Sequence, residues 1–244
     1  MLRGATAVFR RELAGYFSTP VAYVFIVIFL ILAGVFTFQI GGLYERGQAD
    51  LQPFFAFHPW LYLFLVPALA MRLWAEEHKS GTIELLMTLP LSRAGAIMGK
   101  FMAAWAFAGA ALALTFPVWV TVNFLGSPDN GAILAGYVGS FLMAGAVLAL
   151  GSCASAGTKS QVIAFIITAV LVLGFLLAGF SPVVDFFRGW APPSVVDAIA
   201  SFSFLTRFEG MSKGVIDARD VAFFATLMGV CLAMNAIILE AKRA

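Results

Sequence analysis

Six apolar runs, separated by short polar stretches, decide what solvent this chain can fold in. Val21–Ile40, Phe54–Trp74, Phe101–Leu125, Ala132–Ala156, Val162–Phe180 and Val221–Leu239 are each close to the roughly 20 residues a helix needs to cross a bilayer. Of 244 residues, 61% are apolar and 11% charged, against about 25% charged in soluble domains. A chain of that composition cannot clothe itself in a wettable surface. The strict alternation of a transmembrane barrel is absent. The expected class is therefore all-α: a polytopic membrane protein with six transmembrane helices in one domain, residues 1–244. The first run is longer than a signal-peptide core of about 7–15 residues, and no small-x-small site precedes Gly41 and Gly42. It is expected to stay as the first helix.

The placement of charge gives the topology. With the N-terminus inside, Arg3, Arg10, Arg11, Arg72, Lys79, Arg93, Lys100, Lys159, Lys242 and Arg243 fall on the cytoplasmic side. Arg46, Arg188, Arg207, Lys213 and Arg219 fall on the other. Most of the second set lies in the longest loop, where the positive-inside rule weighs less. Both termini are expected in the cytoplasm, with Trp60, Tyr62 and Trp74 at span ends as interfacial aromatics. The net charge of +2 carries no nucleic-acid footprint. Cys153 and Cys231, both in apolar stretches, read as small buried hydrophobes.

Leu2, Ala5, Phe9, Leu13 and Tyr16 recur at helical spacing, with Arg3, Arg10 and Arg11 off that stripe. This reads as a flat interfacial helix over 2–17; the plainer reading is a polar tail. Pro20 breaks it from the first span, and Pro67 and Pro117 lie inside spans as candidate flexing points. Gly136, Gly139, Ser140, Ala144, Gly145 and Ala149 give the fourth span a face for close packing, either within the subunit, which is the expectation, or across a dimer seam. The turn over Gly126–Gly131 is tight. The loop Ser181–Asp220 should hold a short amphipathic helix, with Ser194 and Asp197 as a capping box and Asp217 capping the last span.

No span has an unambiguous ionisable group at its centre, and Gln39, Asn123 and Asn235 fall nearer the ends. That argues against a proton-coupled carrier or a voltage sensor. The string Gly95-Ala-Ile-Met-Gly99-Lys100-Phe101 has the wrong spacing for a phosphate loop, and Phe where Ser or Thr must meet magnesium. If ATP drives this protein, another subunit binds it. No HExxH or Gly-x-Ser-x-Gly occurs, and His58 and His78 fall on opposite membrane sides. His58 reads as an interfacial side chain and His78 as a solvated loop residue. An intramembrane enzyme and a simple channel, which would want a repeated polar face, are both disfavoured.

The stretch Arg72–Lys100 is the exception to the oily pattern. Ser80 or Gly81 can cap a short helix, with Glu84 in its first turn. Ile83, Leu86, Met87 and Pro90 make an apolar stripe opposite Glu84 and Thr88. A short two-sided helix held between two spans is suited to enter a groove on a partner; the alternative is a helix resting on lipid. Glu76-Glu77-x-x-x-Gly81-Thr82-Ile83-Glu84-Leu85-Leu86-x-Thr88-Leu89-Pro90 resembles the same stretch of ABC-2 type transporter permeases. Phe204-Leu-x-Arg-Phe208-Glu209-x-x-x-Lys213-Gly214-Val215-Ile216-Asp217-x-Arg219-Asp220 resembles their gliding-motility-type branch, and the resemblance covers essentially the whole chain.

The resemblance implies a type V permease-like architecture in the bacterial inner membrane. It makes Ser80–Leu89 a coupling helix seated in a separate ATP-binding subunit, with Glu76, Glu77 and Glu84 as polar contacts. The turn Gly157, Thr158, Lys159 and Ser160 would make a second contact. It implies two permeases, identical or paralogous, with two ATPase subunits, and ATP and magnesium bound on the ATPase rather than here. The permease does no chemistry of its own: ATP-driven closure of the ATPase would tilt spans two and three, most often for export. The rival is a force- or signal-transmitting module that moves no substrate and serves a periplasmic accessory protein.

Overall fold

The computed structural model describes residues 2–83, 92–189 and 191–242. Among them there is no strand. α1 (Leu2–Ser18) lies first, followed after Thr19 by α2 (Pro20–Val35). Thr19 is extended, with Pro20 opening α2, where a missing N–H breaks no intrahelical bond. The expected break at Pro20 is present. α2 ends in a π-turn, Phe36–Ile40.

The second apolar run forms α3 (Gln52–Ala70) and α4 (Arg72–Ser80), interrupted at Met71. The third forms α5 (Arg93–Ala113) and α6 (Phe116–Leu125). Pro117 sits in the first turn of α6, so its break falls where expected. Pro67 instead lies inside continuous α3, and the interruption comes four residues later. α7 (Asn130–Gly157) is one unbroken helix, and Asp129 caps it by accepting from the Gly131 and Ala132 amides.

α8 (Gln161–Leu177) stops short of the expected Phe180 and meets α9 (Ser181–Arg188) at a 64° bend. At about 1.5 Å per residue, 17 residues reach only about 25 Å. Where one amphipathic helix was expected, three short ones follow: α9, α10 (Pro193–Ser201) and α11 (Phe204–Ser212). The Ser194–Asp197 capping box does not form; Pro192 occupies the cap of α10, without a side-chain bond. α12 (Ala218–Ala241) closes the bundle, capped as expected by Asp217 accepting from the Arg219 amide. Among the described residues five helices are long and apolar enough to cross a membrane, or six if the bent pair α8–α9 counts as one span.

α7 is the central post. Gly136, Gly139 and Gly145 face inward, and each admits a large side chain from a neighbour. A Cβ on Gly136 would lie 2.4 Å from Phe55, one on Gly139 2.7 Å from Met211, and one on Gly145 2.8 Å from Met228 and Trp105. The small-residue face is thus consumed within the subunit. Trp105 stacks on Phe141 with centroids 4.5 Å apart and donates to its carbonyl. Trp74 and Tyr62 are buried in the core, not placed in an interfacial belt. Trp60 is half-buried, edge-on to Phe180.

Candidate functional site

The stretch Arg72–Lys100, between the second and third apolar runs, is the hinge; the bundle has a hinge end, where α1, α4, the start of α5 and the α7–α8 turn meet, and a far end carrying α9–α11. At the hinge end the apolar pattern of α5 brings a charge into the core. Lys100 is 3% exposed, with its ammonium 2.9 Å from Glu77 and 3.1 Å from Glu12. Arg11 lies 2.7 Å from Glu12 and 3.7 Å from Glu77. Two carboxylates and two cations thus join three helices. The Lys100 ammonium also stands 5.4 Å from the Trp74 ring centre, within reach of a cation–π contact.

Burial pushes the Glu12 carboxyl upward, but the combined pull of Lys100 and Arg11 outweighs it and leaves the group below its ordinary range. The hydrogen bond to Glu12 raises the Arg11 guanidinium further. Gly99 allows this meeting: a Cβ there would lie 2.8 Å from both the Ala5 carbonyl and Val8, whereas one on Gly95 would stand in ordinary contact, 3.6 Å from the Ala5 amide. The Gly95–Lys100 string that fails as a phosphate loop is the seat of α1. Val8, off the predicted stripe, is the most buried position of α1 whose side chain is described, at 4% exposure.

A second joint fixes the direction of α4. Where the helix breaks at Met71, Ser155 of α7 fills the gap. Its Oγ accepts from the Trp74 amide at 3.0 Å and the Ala75 amide at 2.9 Å, and donates to the Met71 carbonyl at 2.9 Å. Trp74 Nε1 donates to Ser152, which also accepts from Asn235 of α12. The break therefore leaves none of these backbone groups without a partner. It is pinned from the central post.

The predicted contact residues fall into three sets. Glu76 is exposed and pairs with Arg72 at 3.1 Å. Glu77 faces inward to Lys100, so its carboxylate is part of the joint. Gly81 ends α4 with φ +73°, a conformation that suits glycine, and helix resumes at Thr82 and Ile83. Ser80 donates to the Glu76 carbonyl and bonds the Thr82 hydroxyl. Thr82 is exposed, and Ile83 packs against the core. Glu84, Leu85, Leu86, Met87, Thr88, Leu89 and Pro90 lie outside the described residues. The turn Gly157–Ser160 adjoins the hinge: His78 meets the Ala156 backbone, with Lys159 close by. Thr158 accepts from the Ser160 amide, and Ser160 caps α8.

Two expectations about ionisable groups are corrected. His58 is not interfacial: it is fully buried in α3, its Nδ1 2.6 Å from Ser140 Oγ, which Tyr62 also meets at 2.8 Å. His78 is not in a solvated loop but half-buried on α4. Lys100, counted with the cytoplasmic-side charges, lies in the core. The sequence reading missed Glu12, Lys100, Ser152 and Ser155 as a constellation. The one local signal was the small-residue spacing Gly95–Gly99 beside a lysine; nothing local marks Ser155 as the partner of a break 84 residues earlier.

An all-helical bundle with five to six bilayer-length helices, and charge gathered at one interhelical joint, defines a polytopic membrane protein. The model of ABC-2 family transporter proteins matches residues 61–188, just over half of the chain and all of the hinge. The chain belongs to that family and is a membrane permease component of the ABC transporter type. No curated protein matches it.

Proposed function

We propose that this chain is the permease subunit of an ATP-driven exporter, working with a separate ATP-binding subunit through the hinge between α4 and α5. The family membership supports the partner class. The observation that carries the reading is the Glu12–Lys100–Glu77 joint, which locks both flanks of the hinge and α1 into one body. A push on the hinge would then tilt α3–α4 and α5–α6 together, with the Pro117 break as a flexing point. Glu76, Thr82 and Glu84 are the proposed polar contacts, and Gly157–Ser160 the second. Paired permeases, a bacterial inner-membrane location with both termini cytoplasmic, and the gliding-motility branch belong to the same proposal. The Phe204–Asp220 motif supports the branch.

The test is co-expression with a candidate ATP-binding subunit, followed by size-exclusion and ATPase assays in lipid. Glu76→Lys and Glu84→Lys should each weaken association or uncouple hydrolysis by about tenfold, the effect of some 1.4 kcal/mol. Unchanged assembly and coupled activity in both variants would sink the assignment. ATPase stimulation without movement of any tested substrate would favour the force-transmitting module.

A further inference from the structure

Between α1 and the first turns of α5 runs an open groove of about 450 Å³, within the range of roughly 300–1,000 Å³ seen for small-molecule sites. Ala5, Thr6 and Phe9 form one wall; Ala94, Met98 and Met102 form the other. Gly99 lets the helices close at Ala5 and Val8, and neither it nor Gly95 supplies a side chain to fill the space beside that crossing.

The two walls differ in chemistry. Met98 and Met102 are exposed on a bilayer-length helix, so the α5 wall opens sideways onto the lipid-facing surface. On the α1 wall, Thr6 stands four residues before Arg10, so the helix places that cation one turn further along the same face. Arg10 is exposed and enters no ion pair with a described residue, whereas Arg11 is held by Glu12. An amphipathic helix of this kind settles at the boundary between headgroups and acyl chains. The groove therefore offers an apolar slot at chain depth and positive charge at headgroup depth.

We propose that this groove binds an anionic phospholipid of the bilayer, one acyl chain lying along Ala5, Phe9, Met98 and Met102 and the phosphate against Arg10. A guanidinium suits a phosphate because it donates two parallel hydrogen bonds. A zwitterionic lipid fills the slot equally well but gains less at Arg10. The lipid ties α1 to one leaflet, and through Glu12 to Lys100 at the foot of α5. The proposal rests on membrane embedding alone and stands apart from the ATPase reading.

Native mass spectrometry of the full chain, offered equal amounts of dioleoyl phosphatidylglycerol and dioleoyl phosphatidylcholine, tests it. The anionic lipid should be retained about fivefold over the zwitterionic one, the factor expected from one juxtamembrane cation. Arg10→Gln should bring the ratio close to one, and Arg10→Lys should restore it. Ala94→Trp, from an exposed position, should fill the slot and lower retention of both lipids. Glycerol phosphate, a headgroup without chains, should not compete. Equal retention by the wild type, an unchanged ratio in Arg10→Gln, or displacement by glycerol phosphate overturns the proposal. So does a photocrosslinker at Met98 that captures a second copy or another protein instead of lipid.

Discussion

At the hinge end, Lys100 is 3% exposed and meets two carboxylates within 3.1 Å. At the far half of the same bundle, His58 is fully buried and meets the uncharged hydroxyl of Ser140, which Tyr62 shares. Around His58 the packing is aromatic: Phe54 at 4.3 Å and Phe55 at 5.6 Å between ring centres, with Gly136 making room for Phe55. The comparison separates two ways of holding helices together in lipid. A buried charge is tolerable only with its partners in place, so a joint built on Lys100 has one good geometry and resists sliding. A neutral, aromatic contact loses little when a partner shifts and tolerates rearrangement. The rigid joint lies beside the hinge, where the proposed coupling would transmit motion.

The largest expected effect tests that inequality directly. Lys100→Met should destabilise by about 3–5 kcal/mol, the cost of leaving buried charge unpaired, measured by thermal unfolding in detergent. Adding Glu12→Gln and Glu77→Gln to that variant should recover most of the loss. A loss below about 1 kcal/mol would mean that the two ends are held alike. Acid titrates the same joint. Glu12 in the folded protein sits below its ordinary value of 4.5, so its contribution is complete above about that pH and fades as pH falls through the lower folded value. Lys100→Met should flatten this acid limb.

An intermediate effect is expected at the aromatic half. Gly136→Leu must displace Phe55 and should cost about 1–3 kcal/mol, as overpacking does. Gly174→Ala, whose added methyl meets nothing within 4 Å, is the neutral control on the same assay.

The smallest energetic effect distinguishes the two serines of α7. Ser140→Ala and Ser155→Ala should each cost only about 0.6–1.7 kcal/mol, the range for hydrogen bonds between membrane helices. Their geometric consequences should differ. Without Ser155 the Ala75 amide is free to return to the Met71 carbonyl, which straightens α4 onto α3. Spin labels at Lys79 and Lys159 should report a shifted distance in Ser155→Ala and an unchanged one in Ser140→Ala.

The sequence read well where the cause is local. The prolines at 20 and 117 and Asp217 before the last helix act within a few residues of themselves, and each did in the structure what its spacing implied. It read poorly where a polar group lies within an apolar run. His58, Tyr62 and Trp74 were expected at the interface; burial depended on Ser140 and Ser152 arriving from elsewhere in the chain. The Ser194–Asp197 box failed because Pro192, extended and immediately before Pro193, already opens α10.

The sequence by itself determined that this chain lives in a membrane as a helical bundle and that its hinge lies between the second and third apolar runs. Hydrophobic length and turn chemistry are properties of contiguous residues. Only the tertiary structure decided that the Gly95–Gly99 string seats α1, that Glu77 turns inward while Glu76 stays out, and that Ser155 heals the break at Met71. In lipid the backbone and every charge must find partners inside the protein, and which partner is near depends on how the helices pack.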